Sequence, residues 1–241
     1  MATRTRRSQR RTEALSRQRI VEAAVQLLDA AGEGGLTFRA LTERLATGPG
    51  AIYWHVANKS ELLDAAADAV VAAAVALKPA EPPGAPPGEI RAVALGLFDA
   101  IDEHPWLATQ LAMQLSRSPW GSVTTRIFES IGQRVRALGV PDGNLFTATS
   151  ALVHYILGAV GQNAANTRVD GLHVDRGEFL DAVSTAWEEL DPDDYPFTRA
   201  VVDQVREHDD REQFLAGIDF VLTGITALHL PSGQACTPPA A

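Results

Sequence analysis

The sequence predicts an all-α fold: a small N-terminal helix-turn-helix head followed by a larger helical body. Three observations carry this. Apolar residues recur at intervals of three and four along most of the chain. No stretch alternates apolar and polar residues as a half-buried strand does, and no Asn-Gly hairpin turn occurs. With 241 residues, 46% of them apolar, the chain is also long enough to bury a sizeable core.

Ile20, Ala23, Ala24, Leu27, Leu28 and Ala31 form one stripe, giving a first helix of about fifteen residues that ends at Gly32, Gly34 and Gly35. Thr37 suits the N-cap of a second, short helix with Phe38, Leu41 and Leu45 on one face, stopping near Thr47. Gly48-Pro49 makes a tight turn into a third helix holding Ile52, Tyr53, Trp54 and His55, since proline at the first helical position loses no hydrogen bond. Asn58 and Glu61 have the spacing of a capping box and open a fourth, alanine-rich helix from about Lys59 to Lys78.

Pro79 to Gly88 holds five prolines and two glycines, the composition of an extended loop. Beyond it helices are expected at about 89–103, 106–117, 120–138, 144–166, 175–190, 197–207 and 210–230. Leu145 to Val160 and Phe214 to Leu230 are apolar most of the way round, so they need cover on all sides. A deep monomeric core would supply it, and so would a symmetric dimer in which Gly158, Gly161, Gly217 and Gly224 let backbones approach closely.

The net charge of −9 is unevenly spread. Residues 1–60 hold ten Lys and Arg against five Asp and Glu, whereas the remaining 181 hold eleven against twenty-five. A basic head on an acidic body is the distribution expected when only the head meets phosphate. Residues 1–17 are expected to form a basic, disordered arm whose arginines serve solubility or flank the DNA in the minor groove.

Residues 231–241 are expected to be a disordered tail. They contain the single cysteine, Cys236, so neither a disulfide framework nor a cysteine metal site forms within one chain, and a reducing cytoplasm fits. Arg17, Arg19, Glu22 and Asp29 interrupt any signal-peptide core, and Asp64 and Asp68 break the best membrane candidate. No hydrolase elbow, phosphate-binding glycine loop, His-Glu-x-x-His helix or dinucleotide fingerprint occurs, which argues against an enzyme.

Residue identities sharpen the head. Leu36-Thr37-Phe38-Arg39-Ala40-Leu41, Ile52-Tyr53-Trp54-His55-Val56 and Asn58-Lys59-Ser60-Glu61-Leu62-Leu63 occur in register. Together they resemble the TetR (tetracycline repressor) family, and within it the tetracycline repressor branch. The resemblance covers about residues 18–66, with a looser echo from Tyr195 to Phe214. It implies a DNA-binding head at residues 18–65 and a helical ligand-binding and dimerisation body at 66–230, joined by a fourth helix that moves on ligand binding. A dimer of such heads reads two half-sites about 34 to 36 Å apart or a multiple of that, so small displacements break register.

Arg39 can fork onto a guanine edge or clamp a phosphate, and the resemblance implies the base contact. Thr47, Tyr53 and His55 offer further polar contacts, and Lys59 adds charge where the fourth helix begins. Trp54 packs inside the head or touches the backbone of the DNA. Pro49, Gly50 and Ala51 replace the Gln-Pro-Thr run of the tetracycline repressor, leaving a thymine methyl for Ala51, close approach at Gly50, and DNA shape.

In the body, His104, Trp106, Gln110, Met113, Gln114, Trp120 and Phe128, with His154, Tyr155, Gln162 and Asn163, are candidates for a drug-sized apolar site. No cofactor is expected. Neither the histidine nor the carboxylate that would hold tetracycline's magnesium can be placed, and Asp170, His173 and Asp175 read as part of a solvated acidic face in the stretch from Thr167 to Glu212. The expected function is a homodimeric, ligand-responsive repressor that binds double-stranded operator DNA. The alternative is a ligand-independent DNA-binding or architectural protein whose body only dimerises.

Overall fold

The computed structural model describes residues 15–76, 84–166 and 175–229, and no strand occurs among them. The arm at 1–14, the segments 77–83 and 167–174, and the tail from 230 lie outside the described residues. The chain divides into two compact units, residues 1–66 and 67–241. The first contains α1 (Arg17–Gly35), α2 (Phe38–Leu45), α3 (Pro49–Tyr53) and the start of α4 (Lys59–Val75). The second continues through α5 (Pro86–Glu103), α6 (Trp106–Arg117), α7 (Ser122–Ala137), α8 (Leu145–Asn166), α9 (Arg176–Glu188), α10 (Pro196–Ala200), α11 (Val202–Arg206) and α12 (Asp210–His229). No helix among the described residues is long and apolar enough to cross a membrane.

In the first unit local chemistry sets each boundary. The Ser16 hydroxyl accepts from the Arg19 amide at 3.2 Å, so α1 begins at Arg17. Its helical geometry breaks at Ala31 and at Gly32, where φ is +61° and only glycine is comfortable. The α2 helix stops at Ala46, an alanine in the left-handed region at φ +50°, and Thr47 then donates to the Thr42 carbonyl at 3.1 Å.

The third helix is shorter than expected. It is the five residues Pro49–Tyr53, and Trp54 and His55 lie in the turn after it, where the His55 amide folds back on the Ile52 carbonyl at 2.9 Å. The capping box also shifts: Asn58 Oδ1 accepts from the Glu61 amide at 2.9 Å, but Glu61 Oε2 reaches back to Ala57, at 2.8 Å, instead of Asn58. Ile20, Ala24, Leu28, Leu36, Leu41, Ile52, Val56 and Leu62 close the core of this unit.

In the second unit α8 is the central rod, packed on α5, α6, α7 and α12. Leu97, Leu107, Ile127, Ile131, Leu152, Ile156, Phe214 and Ile218 fill the space between them. Two expectations are corrected. Pro86, Pro87 and Gly88, expected in a loop, form the first turn of α5, because prolines there cost no hydrogen bond. The helix expected over 197–207 is two short ones, α10 and α11, separated at Val201, whose ψ of 5° breaks the helical path. Together with α9 they form a lobe pinned by Arg206, which bonds Glu188 at 2.7 Å and lies near Asp181 and Asp203; the Glu188 bond raises the arginine's pKa.

Close backbone approaches fix two of the helix packings. A Cβ at Gly96 of α5 would overlap the Ala74 carbonyl oxygen of α4, and one at Gly217 of α12 would overlap the Tyr155 ring of α8. The Tyr155 hydroxyl donates to the Phe214 carbonyl at 3.1 Å, and burial pushes its pKa up. Gly158, Gly161 and Gly224 face open space instead.

Candidate nucleic-acid interface and body cavity

The reading head is built from the cap of α2 outward. The Thr37 hydroxyl accepts from the Ala40 amide at 3.1 Å, satisfying one of the donors that every helix start leaves over. Thr37→Ala is therefore expected to cost about 1 kcal/mol of head stability, with Thr37→Ser largely retaining it, as read from urea unfolding midpoints. Phe38 stacks on Tyr53 with ring centroids 4.5 Å apart, and Leu41 and Ile52 are fully buried, so α2 holds α3 through one aromatic and one aliphatic contact.

This arrangement presents Arg39, Pro49, Gly50, Tyr53, Trp54 and Lys59 to solvent and leaves Thr47, Ala51 and His55 half-buried. Trp54 is 90% exposed and so does not pack inside the head. Arg39 Nε donates to Glu43 Oε1 at 3.0 Å, one turn further along α2. Lys59 Nζ donates to the Glu33 carbonyl at 2.5 Å, placing a cation at the carbonyl-rich end of α1. Arg44 Nε and Nη2 both donate to Gln26 Oε1, which ties α2 to α1.

The second unit holds a cavity of about 60 Å³ lined by Phe98, Ile101, Asp102, Pro105, Val160, Asn163, Ala164 and Asp210. Of the candidate ligand residues, only Asn163 lines it. Trp106 and Gln110 are buried on α6, His104 packs its ring 6.1 Å from Trp106, and Gln114 is half-buried. Met113 and Trp120 are exposed, as are His154 and Gln162 on α8. Phe128 lies with Phe146 in a separate surface groove between α7 and α8. The candidates do not converge because their helices turn them to different sides.

What sequence reasoning missed is the acidic side of the cavity. Asp210 accepts from Arg176 Nη2 at 2.6 Å and lies 2.8 Å from His208 Nε2. Asp99, beside the cavity on α5, pairs with Arg211, whose guanidinium sits 5.8 Å over the Phe98 ring; the Asp99 bond raises the arginine's pKa. Asp170 and His173 lie outside the described residues, and no group of His, Cys, Asp or Glu among the described residues could hold a metal ion.

Residues 20–66 match the family model of bacterial regulatory proteins of the tetR family, and residues 78–229 match the tetracyclin repressor-like C-terminal domain. The chain belongs to the TetR family. It is a transcriptional regulator, not an enzyme. A TetR-family transcriptional regulator from Streptomyces coelicolor, known as a solved structure, is 69% identical with a TM-score of 0.81, covering 90% of this chain and all of its own.

The HTH-type transcriptional repressor DrrR1 of Streptomyces coeruleorubidus is 32% identical over 145 residues, 60% of this chain and 52% of that protein. The chain thus spans about half the length of that curated relative. A solved structure of BioQ with its natural double-stranded DNA operator is 27% identical, with a TM-score of 0.59 over 89% of this chain and 99% of its own.

Proposed function

We propose that this TetR-family regulator acts in the cytoplasm as a homodimeric repressor, released from a palindromic operator by a small molecule bound in its second unit. The observation that carries the DNA reading is the exposed surface of Arg39, Tyr53, Trp54 and Lys59, held by a rigid three-helix core. BioQ's structure with an operator and the repressor function of DrrR1 support it.

Dimerisation is supported by two unpartnered helix faces. Ala151, His154, Gly158 and Gln162 of α8 are exposed, as are Ala216, Phe220, Thr223, Gly224 and Leu228 of α12. Such small and apolar faces bury well against a second copy. The effector site is the cavity between α5, α8 and α12, closed by Pro105. Drug-sized sites occupy roughly 300–1,000 Å³, so an effector must widen a cavity of about 60 Å³ by displacing its walls.

One wall is α5, which meets α4 backbone to backbone at Gly96 and Ala74, while Arg126 of α7 holds Asp68 of α4 at 3.2 Å. Displacing α5 therefore pulls on α4, the helix whose first residue is Lys59. A coupling of about 1 to 3 kcal/mol would lower operator affinity roughly 5- to 150-fold.

The test is fluorescence anisotropy with duplex DNA from immediately upstream of the protein's own gene, beside an unrelated duplex of equal length, over a range of salt. Specific recognition predicts that upstream binding survives at physiological salt where control binding is lost. Arg39→Ala should weaken the specific complex by about 1–3 kcal/mol and leave control binding nearly unchanged. Equal, steeply salt-dependent binding to both duplexes overturns the reading.

A further inference from the structure

Arg39 is 88% exposed and donates through Nε alone, to Glu43 Oε1 at 3.0 Å; its two terminal nitrogens bond nothing among the described residues. Glu43 is itself 65% exposed, one helical turn along the same face of α2. As a stabilising element such a pair is worth little. As a feature of a surface that meets phosphate it is costly, because the carboxylate cancels the attraction that Arg39 alone would add.

We propose that Glu43 is a positioning and specificity residue for DNA recognition: by holding Arg39 Nε it aims the free terminal fork at a guanine edge and removes Arg39 from competition for phosphate. This inference rests on the DNA-binding reading above. Its chemistry follows from the geometry of guanidinium. With Nε engaged, the remaining pair of N–H groups matches the O6 and N7 acceptors of one guanine in the major groove. A neutral Arg39–Glu43 pair gains little from phosphate oxygens, so what Arg39 contributes is discrimination between bases and not general affinity.

Glu43 adds a second layer. Its remaining carboxylate oxygen can accept from the N4 amino group of cytosine, whereas a phosphate beside it is repelled. The fork and the carboxylate therefore favour the same kind of target, a base edge. They disfavour the same competitor, the sugar-phosphate backbone.

The test uses the full-length protein and a pool of 30-base-pair duplexes with randomised centres, selected by wild type, Glu43→Gln and Arg39→Ala, so the operator need not be known. Wild type should enrich guanine at one position of each half-site, and Arg39→Ala should lose that enrichment. Glu43→Gln should lower it at least tenfold. On an unselected duplex, the same variant should steepen the log–log salt slope by about one, because a released Arg39 joins the phosphate contacts. A Glu43→Gln protein with wild-type guanine enrichment and wild-type salt slope overturns the proposal while leaving the repressor reading intact. If wild type itself enriches no sequence, the DNA-binding reading fails and this inference falls with it.

Discussion

Leu41→Ala is expected to unfold the DNA-binding head and abolish operator binding, while the second unit keeps its helices. Leu41 is fully buried and is the one buried residue of α2. Truncating a buried leucine costs about 2–5 kcal/mol, the lost transfer energy plus the void left behind. A unit of some 66 residues buries too little surface to absorb that loss. Nor can its elements persist alone: α2 has eight residues and α3 five, far below the length at which an isolated helix holds in water. Circular dichroism should show an early melting step that wild type lacks, with most helical signal retained above it. A Leu41→Ala protein with wild-type melting and wild-type DNA affinity would refute this account of the head.

Gly96→Ala is the second large effect, and its sign runs against helix propensity. In an exposed helix interior alanine is better than glycine by about 1 kcal/mol. At Gly96 the new methyl would overlap the Ala74 carbonyl, which is backbone and cannot rotate away, so α4 and α5 must separate. Overpacking of this kind costs typically 1–3 kcal/mol, which outweighs the propensity gain. Gly132 of α7 is the control. A Cβ there meets only Thr149, at 3.6 Å, an ordinary contact. Thermal melts should therefore show Gly96→Ala below wild type and Gly132→Ala at or above it. Equal shifts in the same direction would mean that propensity alone governs both sites.

Features governed by residues within four of one another were legible in the sequence. Thr37 caps α2 and the Asn58–Glu61 pair starts α4 because a side chain meets a nearby amide, and Pro49 opens α3 because its ring presets φ and its missing N–H costs no hydrogen bond there. Even there the sequence misled where backbone geometry departed from type. Ala46 takes the left-handed conformation that glycine or asparagine usually supplies, and nothing in the pattern marks it. The cavity of the second unit was not legible. Periodicity says which residues share a helix face, but not which of two apolar faces turns inward. Trp106 and Trp120 looked alike as candidates, yet one is buried and the other 79% exposed. Asp210 read as part of a solvated acidic stretch and instead lines the cavity, because Arg176 and His208 from nearby segments satisfy it.

The first turn of α3, formed by Pro49, Gly50 and Ala51, carries no side chain able to hydrogen-bond a base. In informational terms, each base pair identified by contact supplies about two bits, since the four arrangements are all distinguishable in the major groove. Finding one operator among about a million competing genomic sites takes roughly twenty bits, or about five fully specified base pairs in each half-site. On the DNA-binding reading proposed above, one arginine fork and the polar groups of Thr47, Tyr53 and His55 fall short of that number. That reading assigns the balance to positions the protein never touches, where the stiffness of the duplex decides how easily it adopts the bound shape. Operators for this regulator should therefore resemble one another as much in where they bend as in the letters they contain.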